Sequence, residues 1–164
     1  MPAITSVHPL RAVEGGRITI LGSAFSVDDV TTVQIGETAA RVAFAASSRL
    51  VVIIPPELEG GRAAMKVPGA TLETVYVTIG TRWATGLHQV DNPVFDRAGN
   101  LFVTYSGPRG QEAPVSIYRV TASGTRESFS SGIVNATSLA FGPDGDLYVS
   151  SRFEGAVYRI KNDG

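Results

Sequence analysis

Apolar and polar residues alternate over short stretches throughout the first half of the chain. In the segment GRITILG, Ile18 and Ile20 share one side and Thr19 takes the other, which is the period of two expected of a half-buried β-strand. The same alternation recurs at residues 33–35, 42–44, 50–54, 65–67 and 75–79. Stretches rich in glycine and proline separate these segments, as turns between short strands require. The pattern predicts an antiparallel β-sandwich over residues 1–80.

The glycines and prolines near the N-terminus follow a specific spacing. The order is Pro-x-Ile, then a later Pro, then Gly-Gly-x-hydrophobic-Thr-hydrophobic-x-Gly-x-x-Phe. The residues that fit this order are Pro2, Ile4, Pro9, Gly15, Gly16, Ile18, Thr19, Ile20, Gly22 and Phe25. From residue 2 to about residue 80 the chain therefore resembles an IPT/TIG domain, and the resemblance implies an immunoglobulin-like fold.

A repeat begins after residue 80. The segment FDRAGNLFVTY at 95–105 returns as FGPDGDLYVSS at 141–151, an offset of 46, and IYRV at 117–120 returns as VYRI at 157–160, an offset of 40. The first copy thus carries six extra residues (46 − 40) in the loop 106–114. A period in the forties built from short strands predicts β-propeller blades of four strands each.

The two copies resemble NHL-type blades and the blades of gluconolactonase-like propellers. This resemblance implies a partial propeller over residues 81–164, with blades at about 88–132 and 133–164. A closed propeller has roughly 4–8 blades, so we expect the chain to be a fragment of a larger protein. The alternative is a ring completed by self-association, since unpaired strand edges favour a homo-oligomer.

Composition narrows the range of partners. Lys and Arg total 14 against 15 Asp and Glu, so the chain lacks the basic surplus that nucleic acid requires. No apolar run approaches the roughly 18 residues of a membrane-spanning helix. The chain has no cysteine, which excludes disulfides and thiolate metal sites.

The start of the chain, MPAITSVHPL, lacks the charged and apolar regions of a signal peptide. Either the protein stays inside the cell or an export signal lies upstream. The family resemblance favours a bacterial protein, and we expect an extracytoplasmic or cell-surface location, with the cytoplasm as the alternative.

Loops on one rim of a propeller provide the candidate ligand site. The resemblance places the loops 88–93, 105–114, 133–138 and 150–155 on that rim. Their polar candidates for ligand binding are His88, Asp91, Asn92, Tyr105, Arg109, Asn135 and Arg152. The alternative is that these side chains are simply solvated.

Asp91 is also a candidate metal ligand. In gluconolactonase-like propellers a Glu-Gly-Pro before the first inner strand supplies a carboxylate to a divalent ion, and Asp91 occupies the place of that Glu. The resemblance therefore implies a Ca²⁺ ligand, although Asp replaces Glu and Asn replaces Gly, and a turn residue is the alternative. The segment 144–146 (Asp-Gly-Asp) lacks the remaining spacing of a calcium loop and predicts a tight turn. No cofactor is expected for this chain; Ca²⁺ would belong to a longer parent protein.

No catalytic signature is present in the sequence: there is no zinc-type histidine pair, no nucleophile elbow and no Walker A loop. We therefore expect a non-catalytic binding or scaffold module for a protein or carbohydrate ligand. The alternative is a fragment of a calcium-dependent, gluconolactonase-like hydrolase, with no turnover by this chain alone. Trp83, at the junction of the two regions, is expected to pack between them; a carbohydrate-stacking platform is the alternative.

Overall fold

The computed structural model describes residues 2–26, 32–70, 74–87 and 90–161. In these ranges the backbone forms fifteen β-strands and the turns between them, without a helix. The described ranges accordingly contain no helix long and apolar enough to cross a membrane. The chain divides into two compact units, residues 1–82 and 83–164. The predicted all-β fold class is confirmed.

Eight strands build the N-terminal unit. They are β1 (Ala3–His8), β2 (Arg11–Val13), β3 (Arg17–Ser23), β4 (Thr32–Ile35), β5 (Thr38–Ala46), β6 (Arg49–Ile53), β7 (Gly61–Lys66) and β8 (Val75–Gly80). They hydrogen-bond in the order β1-β3-β6-β5-β4-β7-β8-β2. The edge strand β2 pairs with β8 in parallel. Three residues are too few to show a period, which is why the alternation does not reveal β2.

Strand β5 belongs to both layers of this sandwich. Its first half, residues 38–41, pairs with β4, and its second half, residues 42–46, pairs with β6. A β-bulge between Val42 and Phe44 separates the two halves. Because a bulge bends a strand and increases its twist, β5 carries the chain from one layer to the other.

The bulge also changes which side of β5 faces the core. Val42 lies opposite Val52, whereas Phe44 lies opposite Val51. Neighbouring residues of a strand point to opposite faces, so Phe44 turns outward, where it is 43% exposed and lies under the guanidinium of Arg49 at 4.5 Å. The prediction that Val42 and Phe44 share one face is wrong, because the bulge interrupts the alternation.

Elsewhere the alternation identifies the core of the sandwich correctly. The buried side chains that it predicted are Ile18, Ile20, Val33, Ile35, Leu50, Val52, Ile54, Met65, Val67, Val77 and Ile79. Full burial of one such side chain contributes roughly 1.5–3 kcal/mol. The N-terminal unit therefore has a continuous apolar core of its own.

Seven strands build the C-terminal unit. They are β9 (Val94–Phe95), β10 (Leu101–Thr104), β11 (Ile117–Val120), β12 (Arg126–Ser130), β13 (Ala136–Phe141), β14 (Leu147–Ser151) and β15 (Ala156–Ile160). They form two antiparallel sheets, β12-β11-β10-β9 and β13-β14-β15. In each sheet the strands are adjacent in the order of the sequence, and each sheet contains one copy of the repeat.

Aromatic side chains fill the space between these two sheets. Phe102 of β10 is 1% exposed, and its ring meets those of Phe129 and Phe141 edge to face, with centroids 4.8 Å and 5.3 Å away. Leu147 and Val149 of β14 belong to the same cluster. The Phe102 face of the first sheet therefore packs on the Leu-x-Val face of the second.

Residues 83–87 cover the opposite face of the first sheet. The side chains that pack there are Leu101, Val103 and Val120 together with Ala84 and Leu87. Trp83 extends this cover, since its ring centroid lies 5.6 Å from that of Phe95. Trp83 remains 46% exposed, and its packing between the two regions stays a prediction.

Candidate functional site

The loop between β10 and β11, residues 105–116, is tied to the residue before β13. Asn135 has a φ of 49°, which Asn adopts more readily than most residues. Its Oδ1 accepts a hydrogen bond from the N–H of Gly110 at 2.7 Å, and its Nδ2 donates to the carbonyls of Ser106 at 2.6 Å and Pro108 at 3.0 Å. Asn135 is only 7% exposed, so these bonds satisfy an amide whose burial would otherwise be costly.

Further hydrogen bonds fasten both ends of this loop. The hydroxyl of Ser106 donates to the carbonyl of Ala136 at 2.8 Å. At the other end, the hydroxyl of Ser116 donates to the carbonyl of Ile133 at 3.1 Å and accepts from its N–H at 2.9 Å. Residues 133–136, which lead into the second sheet, thus hold this loop near both of its ends.

Gly110 brings the loop against the turn that follows β14. Its φ is 72°, and a Cβ at this position would lie 3.0 Å from Cε2 of Phe153. Glycine is therefore needed both for the backbone conformation and for the close approach. The N–H of Arg152 donates to the carbonyl of Asn135 at 3.2 Å, which ties the same turn to Asn135.

A cavity of about 640 Å³ lies among these loops. Its lining residues are Asp91, Ser106, Gly107, Arg109, Asn135, Thr137, Arg152 and Phe153. Ligand cavities in proteins measure roughly 300–1,000 Å³, so the volume suits a small molecule or one end of a longer one. Hydroxyl, amide, carboxylate and guanidinium groups are all present in the lining.

The charged groups of the cavity have no counterions among the described residues. The side chains of Arg109, Arg152 and Asp91 are exposed, and none of them forms an ion pair or hydrogen bond within that part of the chain. By contrast, the guanidinium of Arg119 is bound by the carboxylate of Glu127. Two arginines against one aspartate leave the cavity with a formal charge of +1.

Four of the sequence-based candidates line this cavity, namely Asp91, Arg109, Asn135 and Arg152. Asn92 and Tyr105 are not among its lining residues. Asn92 donates from Nδ2 to the hydroxyl of Ser138 at 2.9 Å, and the ring of Tyr105 packs edge to face with that of Tyr118 at 6.2 Å. His88 lies outside the described residues. Ligand binding by any of these side chains stays a prediction.

Four lining residues are missing from the sequence-based candidates, namely Ser106, Gly107, Thr137 and Phe153. All of them lie in the loops expected on this rim. The sequence-based choice kept charged, amide, histidine and tyrosine side chains. It left out the small hydroxyl side chains, the glycines and phenylalanine. Taking every residue of those loops would have included them.

The surroundings of Asp91 do not suit a calcium ion. Ca²⁺ takes 6–8 oxygen ligands, and nowhere in residues 2–26, 32–70, 74–87 and 90–161 do three His, Asp or Glu side chains group together. The other charged side chains at the cavity are arginines, whose positive charge opposes a cation. A metal-binding role of Asp91 stays a prediction without support from its neighbours.

The Asp-Gly-Asp segment lies in the turn 142–146 between β13 and β14. Arg159 pairs with both carboxylates, at 3.0 Å from Asp144 and 2.7 Å from Asp146. Desolvation acts to raise the pKa of Asp144, but hydrogen bonds from the Tyr148 hydroxyl and the Asp146 N–H, with the charge of Arg159, lower it overall. The chain itself thus supplies partners for these carboxylates.

The matching turn of the first sheet is organised by Asp96. Its carboxylate accepts hydrogen bonds from the N–H groups of Ala98 at 2.9 Å and Asn100 at 2.8 Å, and from Nδ2 of Asn100 at 2.7 Å. Desolvation acts to raise the pKa of Asp96, but the bonds from Asn100 and Ala98 outweigh it and lower the pKa below the usual value of an aspartate. The ionised carboxylate therefore stabilises this turn.

The two layers, the bridging strand β5 and the apolar core define the N-terminal unit as an immunoglobulin-like β-sandwich. Residues 2–82 match the IPT/TIG domain family. The N-terminal unit is an IPT/TIG domain, as the spacing of glycines and prolines predicted. No curated protein matches the chain.

Solved structures resemble the chain only distantly. An auxiliary nutrient-binding protein from Bacteroides thetaiotaomicron is 13% identical with a TM-score of 0.43, and the match covers 98% of this chain and 56% of that protein. A γ-CGTase from an alkalophilic Bacillus clarkii is 15% identical with a TM-score of 0.44, over 99% of this chain and 26% of that one. A surface glycan-binding protein from Prevotella bryantii is 13% identical with a TM-score of 0.35, over 98% and 41%. The chain thus spans little more than half, or less, of these proteins, and similarity at this level carries no information about a ligand.

Proposed function

We propose that the chain is a non-catalytic binding module that holds its ligand in the cavity of the C-terminal unit. The observation that carries the proposal is the construction of this cavity. Six polar residues from four separate segments line it, and the buried amide of Asn135 fixes the loop that forms one wall. In this proposal the IPT/TIG domain is a rigid spacer within a larger bacterial cell-surface or secreted protein.

The chemistry of the lining supports binding more than catalysis. Within the described residues the lining offers hydrogen-bond donors and acceptors but no histidine or paired carboxylates that could transfer a proton. The hydrolase alternative needs a group of oxygen ligands around Asp91, and no contact of the described residues favours it. We therefore retain the binding function alone.

A carbohydrate is the ligand class that fits the lining best. Sugar hydroxyls both donate and accept, and the cavity presents matching partners in Ser106, Thr137 and Asp91. Phe153, which is 57% exposed at the edge of the cavity, offers a ring on which the apolar face of a sugar can stack.

The two sheets are further proposed to be NHL-like blades of a longer propeller. Their strands follow the order expected of blades, and the second sheet packs on the first through an aromatic and aliphatic face. The last strand, β15, leaves Val157 70% exposed. An additional repeat would bury that side chain.

A glycan array probed with the whole chain tests the binding function. We expect retention of at least one glycan class and weaker retention by Phe153→Ala or Asp91→Ala, since both lose a cavity contact. Phe44→Ala is the matched control, because it removes an exposed aromatic ring from the N-terminal unit. Absence of any bound glycan, or binding that Phe153→Ala and Asp91→Ala leave unchanged, contradicts the proposal.

A further inference from the structure

We propose that the ligand is an acidic saccharide and that Arg109 and Arg152 bind its carboxylate. This inference rests on the proposed function, since it assigns a chemical class to the ligand of the same cavity. Its starting point is the pair of guanidinium groups that line one cavity without a counterion among the described residues.

Uncompensated arginines in a cavity select for an anion. Placing like charges near each other is unfavourable, and elsewhere in the C-terminal unit Arg119 and Arg159 are bound by carboxylates. Guanidinium groups bind carboxylates through paired N–H donors, with shorter and stronger hydrogen bonds than neutral groups form. A ligand carboxylate would supply the missing partner for both arginines.

The remaining lining argues for a sugar rather than an acidic peptide. The carboxylate of Asp91 can accept hydrogen bonds from the hydroxyls of a sugar, which the side chains of an acidic peptide lack. The hydroxyl of Ser106 donates to the carbonyl of Ala136 and keeps its lone pairs for a ligand. Two guanidinium groups, one anionic acceptor and the ring of Phe153 together match a uronic acid, which has a carboxylate, several hydroxyls and an apolar ring face.

The two arginines line the same cavity because the two repeats differ. Arg109 lies in the loop that is six residues longer in the first copy than in the second (46 − 40), and Arg152 follows β14 at the place that Ser106 occupies in the first copy. Asn135 then holds the longer loop beside Arg152 through bonds to Gly110 and to Arg152 itself. The anion site is thus a property of this particular pair of repeats and does not recur in each one.

Calorimetric titration of the whole chain tests the inference with paired probes. Oligogalacturonate, an alginate oligosaccharide and a hyaluronan oligosaccharide are each compared with the form in which the carboxylates are methyl-esterified; polyaspartate is a further probe. We expect at least one acid form to bind about tenfold or more tightly than its ester, since hydrogen bonds to a charged group are stronger than those to a neutral one. We also expect Arg109→Gln and Arg152→Gln each to weaken binding of the acid form by about tenfold, with Arg97→Gln, in an exposed turn outside the cavity, as the control.

The outcomes separate this inference from the function on which it rests. If an acid form and its ester bind equally well, or if neutral glycans bind on the array while all three acids fail, the carboxylate assignment is overturned and the binding function stands. If polyaspartate binds at Arg109 and Arg152 and no saccharide does, the ligand is an acidic peptide and the inference is wrong. If neither the array nor any of these probes yields a ligand, both proposals fail.

Discussion

Ile117 and Val157 occupy equivalent positions in the two repeats, yet the first side chain is buried and the second is exposed to solvent. Ile117 of β11 pairs with Thr104 and is fully buried, whereas Val157 of β15 pairs with Ser150 and is 70% exposed. The two strands are alike in sequence, so the difference comes from what lies over them. The second sheet covers Ile117, and no described residue covers Val157 to the same extent.

This difference predicts unequal effects of truncating the two side chains. Ile117→Ala leaves a cavity in a packed core and should cost about 2–5 kcal/mol in the free energy of unfolding. Val157→Ala should stay within about 0.5 kcal/mol of the parent chain. Denaturant unfolding measures both. An equally large loss for Val157→Ala would mean that its face is already covered.

The exposed face of β15 also predicts self-association. An open strand edge bearing apolar side chains favours pairing with another copy. We expect light scattering of the chain to show a mass above that of a monomer, increasing with concentration. Val157→Lys should shift the equilibrium toward monomer, and Tyr76→Lys, which places the same charge on the N-terminal unit, should not. A monomer at all concentrations would contradict this prediction.

The amide of Asn135 should be essential for the loop it holds. Asn135→Gly keeps the positive φ but removes all three side-chain hydrogen bonds, so we expect a loss of about 1–3 kcal/mol. Asn92→Gly is the matched control, because Asn92 also has a positive φ but makes a single exposed hydrogen bond. Hydrogen exchange at the Gly110 amide should accelerate only in Asn135→Gly. Unchanged exchange there would show that the loop is held by other contacts.

Gly22 of the IPT/TIG domain should not tolerate a side chain. A Cβ at this position would lie 2.1 Å from the carbonyl oxygen of Ala3 and 2.5 Å from Cζ of Phe25. Since the first of these is backbone, we expect Gly22→Ala to destabilise the domain by about 1–3 kcal/mol. A Cβ at Gly80 would lie 3.1 Å from Cγ1 of Val13 and 3.9 Å from the carbonyl oxygen of Ala12. Since Val13 is exposed and can shift, Gly80→Ala should have a much smaller effect. Thermal unfolding followed by circular dichroism compares the two variants, and equal losses would refute the steric explanation.

The turn at Asp96 should contribute to stability in a pH-dependent way. Hydrogen bonds lower its pKa in the folded chain, so its contribution is present above the pKa of the unfolded chain and is lost as the pH falls through the lower, folded value. We therefore expect Asp96→Asn to reduce the free energy of unfolding at pH 7 and to have a progressively smaller effect as the pH falls below the usual pKa of an aspartate. Asp91→Asn, at a carboxylate that accepts no hydrogen bond from the described residues, is the control. A loss for Asp96→Asn that does not depend on pH would rule out the charge as the cause.

The sequence predicts those features of the fold that depend on neighbouring residues, and it does not predict those that depend on distant segments. Alternation identified Ile18, Ile20, Leu50 and Val52 as core residues, because successive side chains of a strand point to opposite faces. It was wrong at Phe44, where a bulge inserts an extra residue and the period no longer applies. Pairings between distant segments, such as the parallel pair β2–β8, do not change the alternation of apolar and polar residues and cannot be predicted from it.

The same limit applies to the cavity. The repeat offset located the longer loop at 106–114, and the rim argument selected Arg109 and Arg152 for the same end of the unit. What holds the loop could not be deduced, because the bonds of Asn135 to Ser106 and Gly110 join residues 29 and 25 positions apart. A contact over such a distance depends on the completed packing of the two sheets.

The ring of Trp83 is tilted by 45° against that of Phe95, and their centroids lie 5.6 Å apart. Trp83 is the single tryptophan of the chain, and close to half of its surface is in contact with water. Its fluorescence therefore serves as a built-in optical reporter: emission moves to shorter wavelengths whenever another protein surface displaces water from the indole. Assembly, docking or detachment at that end of the C-terminal unit can be followed in real time without any added label.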